Sequence, residues 1–305
     1  MLFRGGVALD LPLARQAIDR DYLARTRPEL FDELWSDPTT RVLAMFEGSV
    51  LLDDAALRLF PVESVPSASY RVYLGRDSIG PIVLAVLNEN AAKQLEPSAE
   101  SWHHLRKTGA GLDDRDAGLF TQALAISNWH GTHQHCPRCG TPTLVESGGW
   151  VRRCFKDNSE HYPRTDPAVI VAIIDDQERI LLGSQGTWEE NRWSILAGFV
   201  EPGESLEAAV IREMFEESGI EVDEPHYLGS QSWPFPNSLM AGFAARAKTT
   251  ELKPDGEEIE KLRWFSREEI AAEATSLLLP NRISISRAII ELWFGSEIVS
   301  ATELQ

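Results

Sequence analysis

The chain has 305 residues, 29 basic and 47 acidic, for a formal net charge of −18, and 43% of it is hydrophobic. That length predicts two or three compact units with enough apolar material for a core without disulfides. The acidity argues against a broad basic surface that grips nucleic acid, because backbone affinity comes from Lys and Arg neutralising phosphates. An anionic substrate is expected to bind locally, through metal ions or a few placed cations.

The start of the chain carries no hydrophobic segment of signal-peptide form, and the longest apolar runs, such as 169–174, are strand-sized. Three cysteines within 19 residues, Cys136, Cys139 and Cys154, do not make a disulfide framework. The expectation is a cytoplasmic protein with a thiolate metal site and no membrane association.

Residues 1–130 read as an α+β domain. Arg41 to Phe46 and Pro81 to Leu87 are β-like, with a turn-rich stretch from Pro61 to Pro66 between them. His103 and His104 read as a surface feature. From Asp113 to Trp129 the pattern turns helical, with Leu112, Leu119, Phe120, Ala123 and Ile126 sharing a face and Gly131 as the expected stop.

Residues 131–163 form the cysteine segment. Cys136-Pro137-Arg138-Cys139-Gly140 is a zinc-knuckle turn, and Cys154 follows after fourteen residues. Two thiolates from one tight turn and more from a second give the tetrahedral set that Zn²⁺ favours. Four residues remain open as further donors: Asp157, His161, His133 and His135.

Residues 164–305 read as a mixed sheet with helices. Val169 to Ile174 is a buried strand, Asp175 to Glu178 its turn, and Arg179 to Leu182 its hairpin partner. Trp193 to Ala197 and Leu239 to Ala247 are further strands. Ser266-Arg267-Glu268-Glu269 is a capping box, and Ile283 to Trp293 a last helix.

The informative stretch is 198–220. Gly198, Pro202 and Gly203 make a loop, Ser205 is the N-cap, Leu206 to Ser218 is helix, and Gly219 is the stop. Glu213, Glu216 and Glu217 are helical neighbours at i, i+3 and i+4. They repel one another and sit where the helix dipole disfavours anions, each effect amounting to a few tenths up to about 1 kcal/mol. A Glu–Glu pair alone would be an ordinary solvated face. Three carboxylates on the side of the apolar stripe instead point to Mg²⁺ or Mn²⁺, which take hard oxygen ligands and bridge to phosphates.

These residues resemble the Nudix box, G-x5-E-x7-R-E-U-x-E-E-x-G-U with U apolar. Gly198, Glu204, Arg212, Glu213, Met214, Glu216, Glu217, Gly219 and Ile220 fill every fixed position. The resemblance implies a diphosphohydrolase in which Glu213, Glu216 and Glu217 bind divalent cations. It gives Arg212 a structural role, with Glu204 as its partner. Metals neutralise a pyrophosphate and lower the pKa of water, and a carboxylate takes the proton. Glu217 is taken as that base, with Glu213 and Glu216 as ligands, roles that the three could exchange.

Downstream, Ser230-Gln231-Ser232-Trp233-Pro234-Phe235-Pro236-Asn237-Ser238 resembles the S-Q-P-W-P-F-P-x-S signature of NADH pyrophosphatases, which also remove NAD caps from RNA. Ser232 stands where the signature has proline, so the loop loses one rigid link. The resemblance, close over 130–295 and loose before that, implies substrate contacts for Phe199, Tyr162, Gln231, Trp233, Phe235 and Ser238, and a further metal-binding role for Glu258. In the cysteine segment the subfamily supplies a fourth cysteine shortly after the third. Here Asp157 occupies one expected spacing, while His161 is chemically the better zinc donor. The zinc is structural, clamping the first domain to the catalytic one.

The fold expected is thus α+β: an N-terminal α+β domain, a zinc-ribbon insert and a C-terminal Nudix α/β/α sandwich with a mixed sheet. The expected activity is metal-dependent hydrolysis of NAD(H) to NMN(H) and AMP and removal of NAD caps from RNA, by a homodimer. The rivals are a Nudix hydrolase of another nucleoside diphosphate derivative and a non-catalytic NAD- or RNA-binding sensor on the same fold.

Overall fold

The computed structural model describes residues 9–303. They fall into two compact units. One contains Leu13–Thr165 together with Trp233–Asn237; the other contains the described residues up to Pro12, Asp166–Ser232, and the chain from Ser238 onward.

The first unit is built on a seven-stranded sheet. Its strands are Arg41–Phe46 (β1), Ser49–Asp53 (β2), Ala56–Leu57 (β3), Leu59–Pro61 (β4), Tyr70–Arg76 (β5), Pro81–Val86 (β6) and Trp102–His104 (β7). The order is β3-β2-β1-β6-β5, with β4 paired to β1 and β7 to β2; β1 and β6 run parallel. Three short helices accompany it, Leu30–Ser36 (α1), Glu89–Leu95 (α2) and Leu105–Thr108 (α3), and one long one, Asp114–Thr132 (α4). The Asp113 side chain caps α4 by accepting from the Asp116 N–H. The face predicted for this helix is buried: Leu119, Phe120, Ala123 and Ile126 are all at most 2% exposed. Its end differs from expectation, because Gly131 lies inside the helix and His133 is the C-cap, its N–H on Trp129 O. Trp129 and His130 are buried and anchor the last turn, and space beside Gly131 is open, so neither packing nor backbone demands a stop there.

After α4 comes a three-stranded antiparallel sheet of Thr143–Glu146 (β8), Val151–Cys154 (β9) and Glu160–His161 (β10), in the order β10-β9-β8. It presents two matched tight turns. In one, Gly140 N–H bonds to Cys136 O (2.9 Å); in the other, Asn158 N–H bonds to Cys154 O (2.9 Å). Gly140 and Asn158 both take positive φ, +71° and +59°, which glycine and asparagine tolerate best.

The second unit centres on a mixed six-stranded sheet. Its strands are Asp166–Ile174 (β11), Ile180–Ser184 (β12), Leu196–Phe199 (β13), Val222–Trp233 (β14), Ser238–Ala247 (β15) and Lys261–Phe265 (β16). The order is β14-β15-β11-β12-β16, with β13 also paired to β11. β11 runs parallel to β15 and antiparallel to β12 and β13. Being central, β11 buries both faces, which is why 168–174 is an unbroken apolar run. Val169, Val171 and Ile173 face the helix Leu206–Ser218 (α5) through Ala209, Val210 and Met214. Ile170, Ala172 and Ile174 face the opposite side, where Ile270 of Arg267–Glu273 (α6) and Ile285, Ile289 and Trp293 of Ile285–Phe294 (α7) pack. Helices on both faces of a mixed sheet make the α/β/α sandwich. The expected strand 193–197 begins later, at Leu196, with only an isolated bridge at Ser194 before it. The Ser266–Glu269 capping box is present with both of its hydrogen bonds.

Candidate active site

The helix α5 is fixed at both ends. Ser205 Oγ accepts from Ala208 N–H (3.1 Å), and Gly219 closes the helix in the left-handed region at φ +71°. Its inward stripe of Ala209, Val210 and Met214 continues one turn later as Glu217, so burial of the apolar residues drags a carboxylate in with them. Glu217 is 5% exposed, and its Oε2 has no hydrogen-bond partner among the described residues.

Burial raises the Glu217 pKa to about 8, and the charges of Glu213, Glu258 and Asp255 add to the effect against a backbone hydrogen bond from Ala197. Burial also raises Glu213, opposed by Arg212 and reinforced by Glu216 and Glu258. The sequence-predicted carboxylates thus act on one another through the low-dielectric edge of the sheet. Asp255 joins them without having been expected from sequence. Its Oδ1 gathers the N–H groups of Glu257 (3.1 Å), Glu258 (3.2 Å) and Ile259 (2.8 Å), shaping the turn that presents Glu258. The Asp-Gly step at 255–256 ahead of the acidic run is the signal that could have found it.

Arg212 ties the rest of the box together. Nε and Nη2 donate to the two oxygens of Glu204 (2.6 and 2.8 Å), Nη2 also to Phe199 O (3.0 Å), and Nη1 to Glu216 Oε2 (2.9 Å). Glu213 Oε1 lies 2.9 Å from Nη1. Arg212 is the first cause of the fall of the Glu204 pKa to about 2, and the Glu201 N–H reinforces it. Gly198 of β13 has a steric reason for its identity: a Cβ there would lie 2.0 Å from Glu213 Cδ.

One buried oxygen without a donor, ringed by further carboxylates, is the arrangement that a hard divalent cation satisfies. The donor set fits such an ion, and among the described residues the protein itself offers Glu217 Oε2 no partner.

The other residues expected at the substrate are distributed differently. Phe199 (60% exposed) and Tyr162 (62%) each offer an open ring, and Tyr162 OH donates to Glu160 Oε2. Ser238 is buried at the start of β15, in register with Asp166. Gln231, expected to touch substrate, is instead buried in the core, where its amide donates to Ile283 O (2.7 Å). Trp233 and Phe235 meet edge to face at 4.9 Å. The Arg106 guanidinium lies 4.0 Å from the Phe235 ring centroid, and the His104 ring 5.7 Å from it. Asn128 Nδ2 donates to Pro234 O (3.0 Å) and Pro236 O (2.9 Å). The stretch carrying Ser232 in place of proline is therefore followed by a loop held by α3 and α4. His104, read from sequence as a surface feature, both caps α3 and faces Phe235.

At the paired turns, donor atoms of Cys136, Cys139, Cys154 and Asp157 all lie within 4.8 Å of one another. Cys139 Sγ and Cys154 Sγ are 3.5 Å apart, and Cys136 Sγ is 3.6 Å from Asp157 Oδ2. His161 is not one of these four, but it borders them, within hydrogen-bond reach of Cys136 and with its Nε2 3.2 Å from Ser159 Oγ. His133 faces Thr132 Oγ1 (2.9 Å) and is outside the group, as is His135. Three thiols and a carboxylate converging from two turns suit a tetrahedral metal.

A mixed sheet flanked by helices, carrying a complete Nudix box whose glutamates share one edge, defines a Nudix hydrolase, an enzyme that depends on divalent metal. The family models agree along the chain: NUDIX domain over residues 164–285, NADH pyrophosphatase zinc ribbon domain over 132–162, and NADH pyrophosphatase-like rudimentary NUDIX domain over 39–129. The likeness thus extends into the first domain, where the sequence resemblance is loose. The Mycobacterium tuberculosis protein named NAD-capped RNA hydrolase NudC is 38% identical over 93% of this chain and 95% of its own length. The Homo sapiens protein named NAD-capped RNA hydrolase NUDT12 is 40% identical over 60% of this chain and 42% of its own. A solved NUDIX hydrolase from Nitrosomonas europaea covers 54% of this chain and 95% of its own at 21% identity, with a TM-score of 0.44. The chain belongs to the NADH pyrophosphatase and NAD-capped RNA hydrolase family of Nudix enzymes. Among its described residues no helix is long and apolar enough to cross a membrane.

Proposed function

We propose that this enzyme hydrolyses the pyrophosphate of NAD(H) to NMN(H) and AMP and removes NAD caps from RNA 5′ ends, leaving NMN and 5′-monophosphate RNA. The observation that carries the chemistry is the buried, unpartnered Glu217 Oε2 amid Glu213, Glu258 and Asp255. The substrate class rests on likeness over nearly the whole chain to a protein named NAD-capped RNA hydrolase.

Glu213, Glu216 and Glu258 would hold Mg²⁺ or Mn²⁺, with Glu217 beside them. Such a cation neutralises pyrophosphate charge and makes water more acidic. Burial gives the Glu217 carboxylate a high proton affinity; ionised beside such a cation, it would receive the proton released as the water oxygen bonds to phosphorus and the bridging P–O bond breaks, the second phosphate leaving as an anion. Arg212 keeps the box carboxylates and the Phe199 carbonyl in place. The exposed ring of Phe199 supplies a stacking surface for the nicotinamide or adenine. Zn²⁺ would sit on Cys136, Cys139, Cys154 and Asp157 as a structural ion. A homodimer and a cytoplasmic location complete the reading.

The test is product analysis after incubation with NADH and Mn²⁺. Wild type is expected to release NMNH and AMP, and Glu217→Gln to lose several orders of magnitude of turnover while still binding NADH. Binding without any NMNH release by wild type would favour a nucleotide sensor; ADP-ribose cleaved in strong preference to NADH would reassign the substrate.

A further inference from the structure

Glu258 stands apart from the other carboxylates of the site in what carries it. Glu213, Glu216 and Glu217 belong to α5, a helix capped at both ends. Glu258 lies in the connection 248–260 between β15 and β16, which contains no helix or strand. A carboxylate on irregular backbone can serve one ion together with a helix only if that backbone is held in a fixed place.

The connection is anchored at both ends. Near its start, the Lys248 N–H donates to Glu221 O (2.8 Å), and the Lys253 N–H to Ser218 O (2.9 Å), one residue beyond Glu217. Gly219 makes room for the second contact, because a Cβ there would lie 2.9 Å from Lys253 Cβ. At the other end, Ile259 is buried in the core cluster with Leu181 and Leu196, and the Glu260 N–H donates to Ser184 O (3.0 Å), where β16 begins its pairing with β12.

Between these anchors the turn is closed by a side chain. Asp255 Oδ1 accepts from the N–H groups of Glu257, Glu258 and Ile259. The Gly256 N–H donates to Ile259 O (3.1 Å), with Gly256 in the left-handed region at φ +74°. One oxygen thus fixes the backbone on both sides of Glu258. The charges of Asp255 and Glu258 both act on the buried Glu217, so the turn lies within electrostatic reach of α5.

We infer that Asp255 is a positioning residue for the cation site: by holding the N–H groups of residues 257–259, it sets where the Glu258 carboxylate stands relative to Glu213 and Glu217. The inference rests on the proposed function, in which Glu258 is a cation ligand, and adds a residue that acts through it. What the turn needs at position 255 is an acceptor oxygen, which asparagine also supplies without the charge.

The experiment titrates the full chain with Mn²⁺ and follows the free ion by electron paramagnetic resonance, so no turnover is required. Asp255→Ala is expected to weaken Mn²⁺ binding about 10- to 100-fold, and Asp255→Asn by no more than about threefold. Hydrogen exchange of the metal-free proteins checks the cause. The amides of Glu257, Glu258 and Ile259 should exchange about tenfold faster in Asp255→Ala and near the wild-type rate in Asp255→Asn, with the rest of the chain unchanged. On a Glu258→Ala background, Asp255→Ala should weaken binding by less than about twofold more, because nothing is left to position. Wild-type Mn²⁺ affinity in Asp255→Ala overturns the inference, and so does full additivity in the double variant. Asp255→Asn as weak as Asp255→Ala overturns it too, since the charge itself would then be the contribution. If Glu258→Ala binds Mn²⁺ as tightly as wild type, Glu258 is no ligand and the proposed function loses that assignment along with the inference. If Glu258→Ala weakens binding and Asp255→Ala does not, the inference alone falls.

Discussion

Replacing Glu217 by glutamine should make the metal-free protein more stable at alkaline pH while abolishing turnover. In the folded protein the Glu217 pKa is raised to about 8, from an ordinary carboxyl value of 4.5. Between those two values the folded state keeps a proton that the unfolded state has released. Stability from this group is therefore fullest below the unfolded pKa and falls as pH rises through that window. With one pKa unit equivalent to about 1.4 kcal/mol, the loss between pH 6 and pH 8 is about 2 kcal/mol. Glutamine holds a similar shape without ionising, so Glu217→Gln should escape this loss. The assay is urea denaturation of both proteins in chelator at pH 6 and pH 8. Wild type should lose about 2 kcal/mol more than the variant between the two. Added Mn²⁺ should narrow the difference, because a cation offsets the buried charge. Parallel loss in both proteins would refute the placement of an uncompensated carboxylate in the interior.

Gly198→Ala should leave the fold intact and lower kcat/KM for NADH by about a hundredfold, because the added methyl occupies the place of the Glu213 carboxylate and misplaces it by about an ångström; kcat/KM within twofold of wild type would show that Glu213 has another productive position. Arg212→Lys cannot engage Glu204 through a fork and the Phe199 carbonyl together, and should weaken Mn²⁺ binding by about 10- to 100-fold, read by titration calorimetry. Asp157→Cys should slow zinc release to a chromogenic chelator relative to wild type, since thiolate replaces carboxylate in the converging set. Asn128→Ala should free two proline carbonyls of the Trp233–Asn237 loop, seen as a change in tryptophan fluorescence and faster hydrogen exchange around Asn237.

Local order is written plainly in this chain. The apolar run at 168–174, the Ser205 and Gly219 ends of α5, the capping box at Ser266 and the carboxylate triplet at 213, 216 and 217 depend on neighbours a few residues apart, and periodicity and turn chemistry reveal such relations. The same logic misplaces the end of α4, because Gly131 is tolerated where buried Trp129 and His130 hold the helix by tertiary packing.

What folding decides is which distant residues share a neighbourhood. That Glu217 loses its water and Gln231 sinks into the core depends on sheet and helix packing. The approach of Asp157 to within 4.8 Å of the three thiols follows from the pairing of two turns. The pairing of Asp19 with Arg76 and the setting of Arg25 over Trp150 span up to 125 positions of sequence. Burial and electrostatic compensation are properties of three-dimensional surroundings, and no spacing along a strand or helix encodes them.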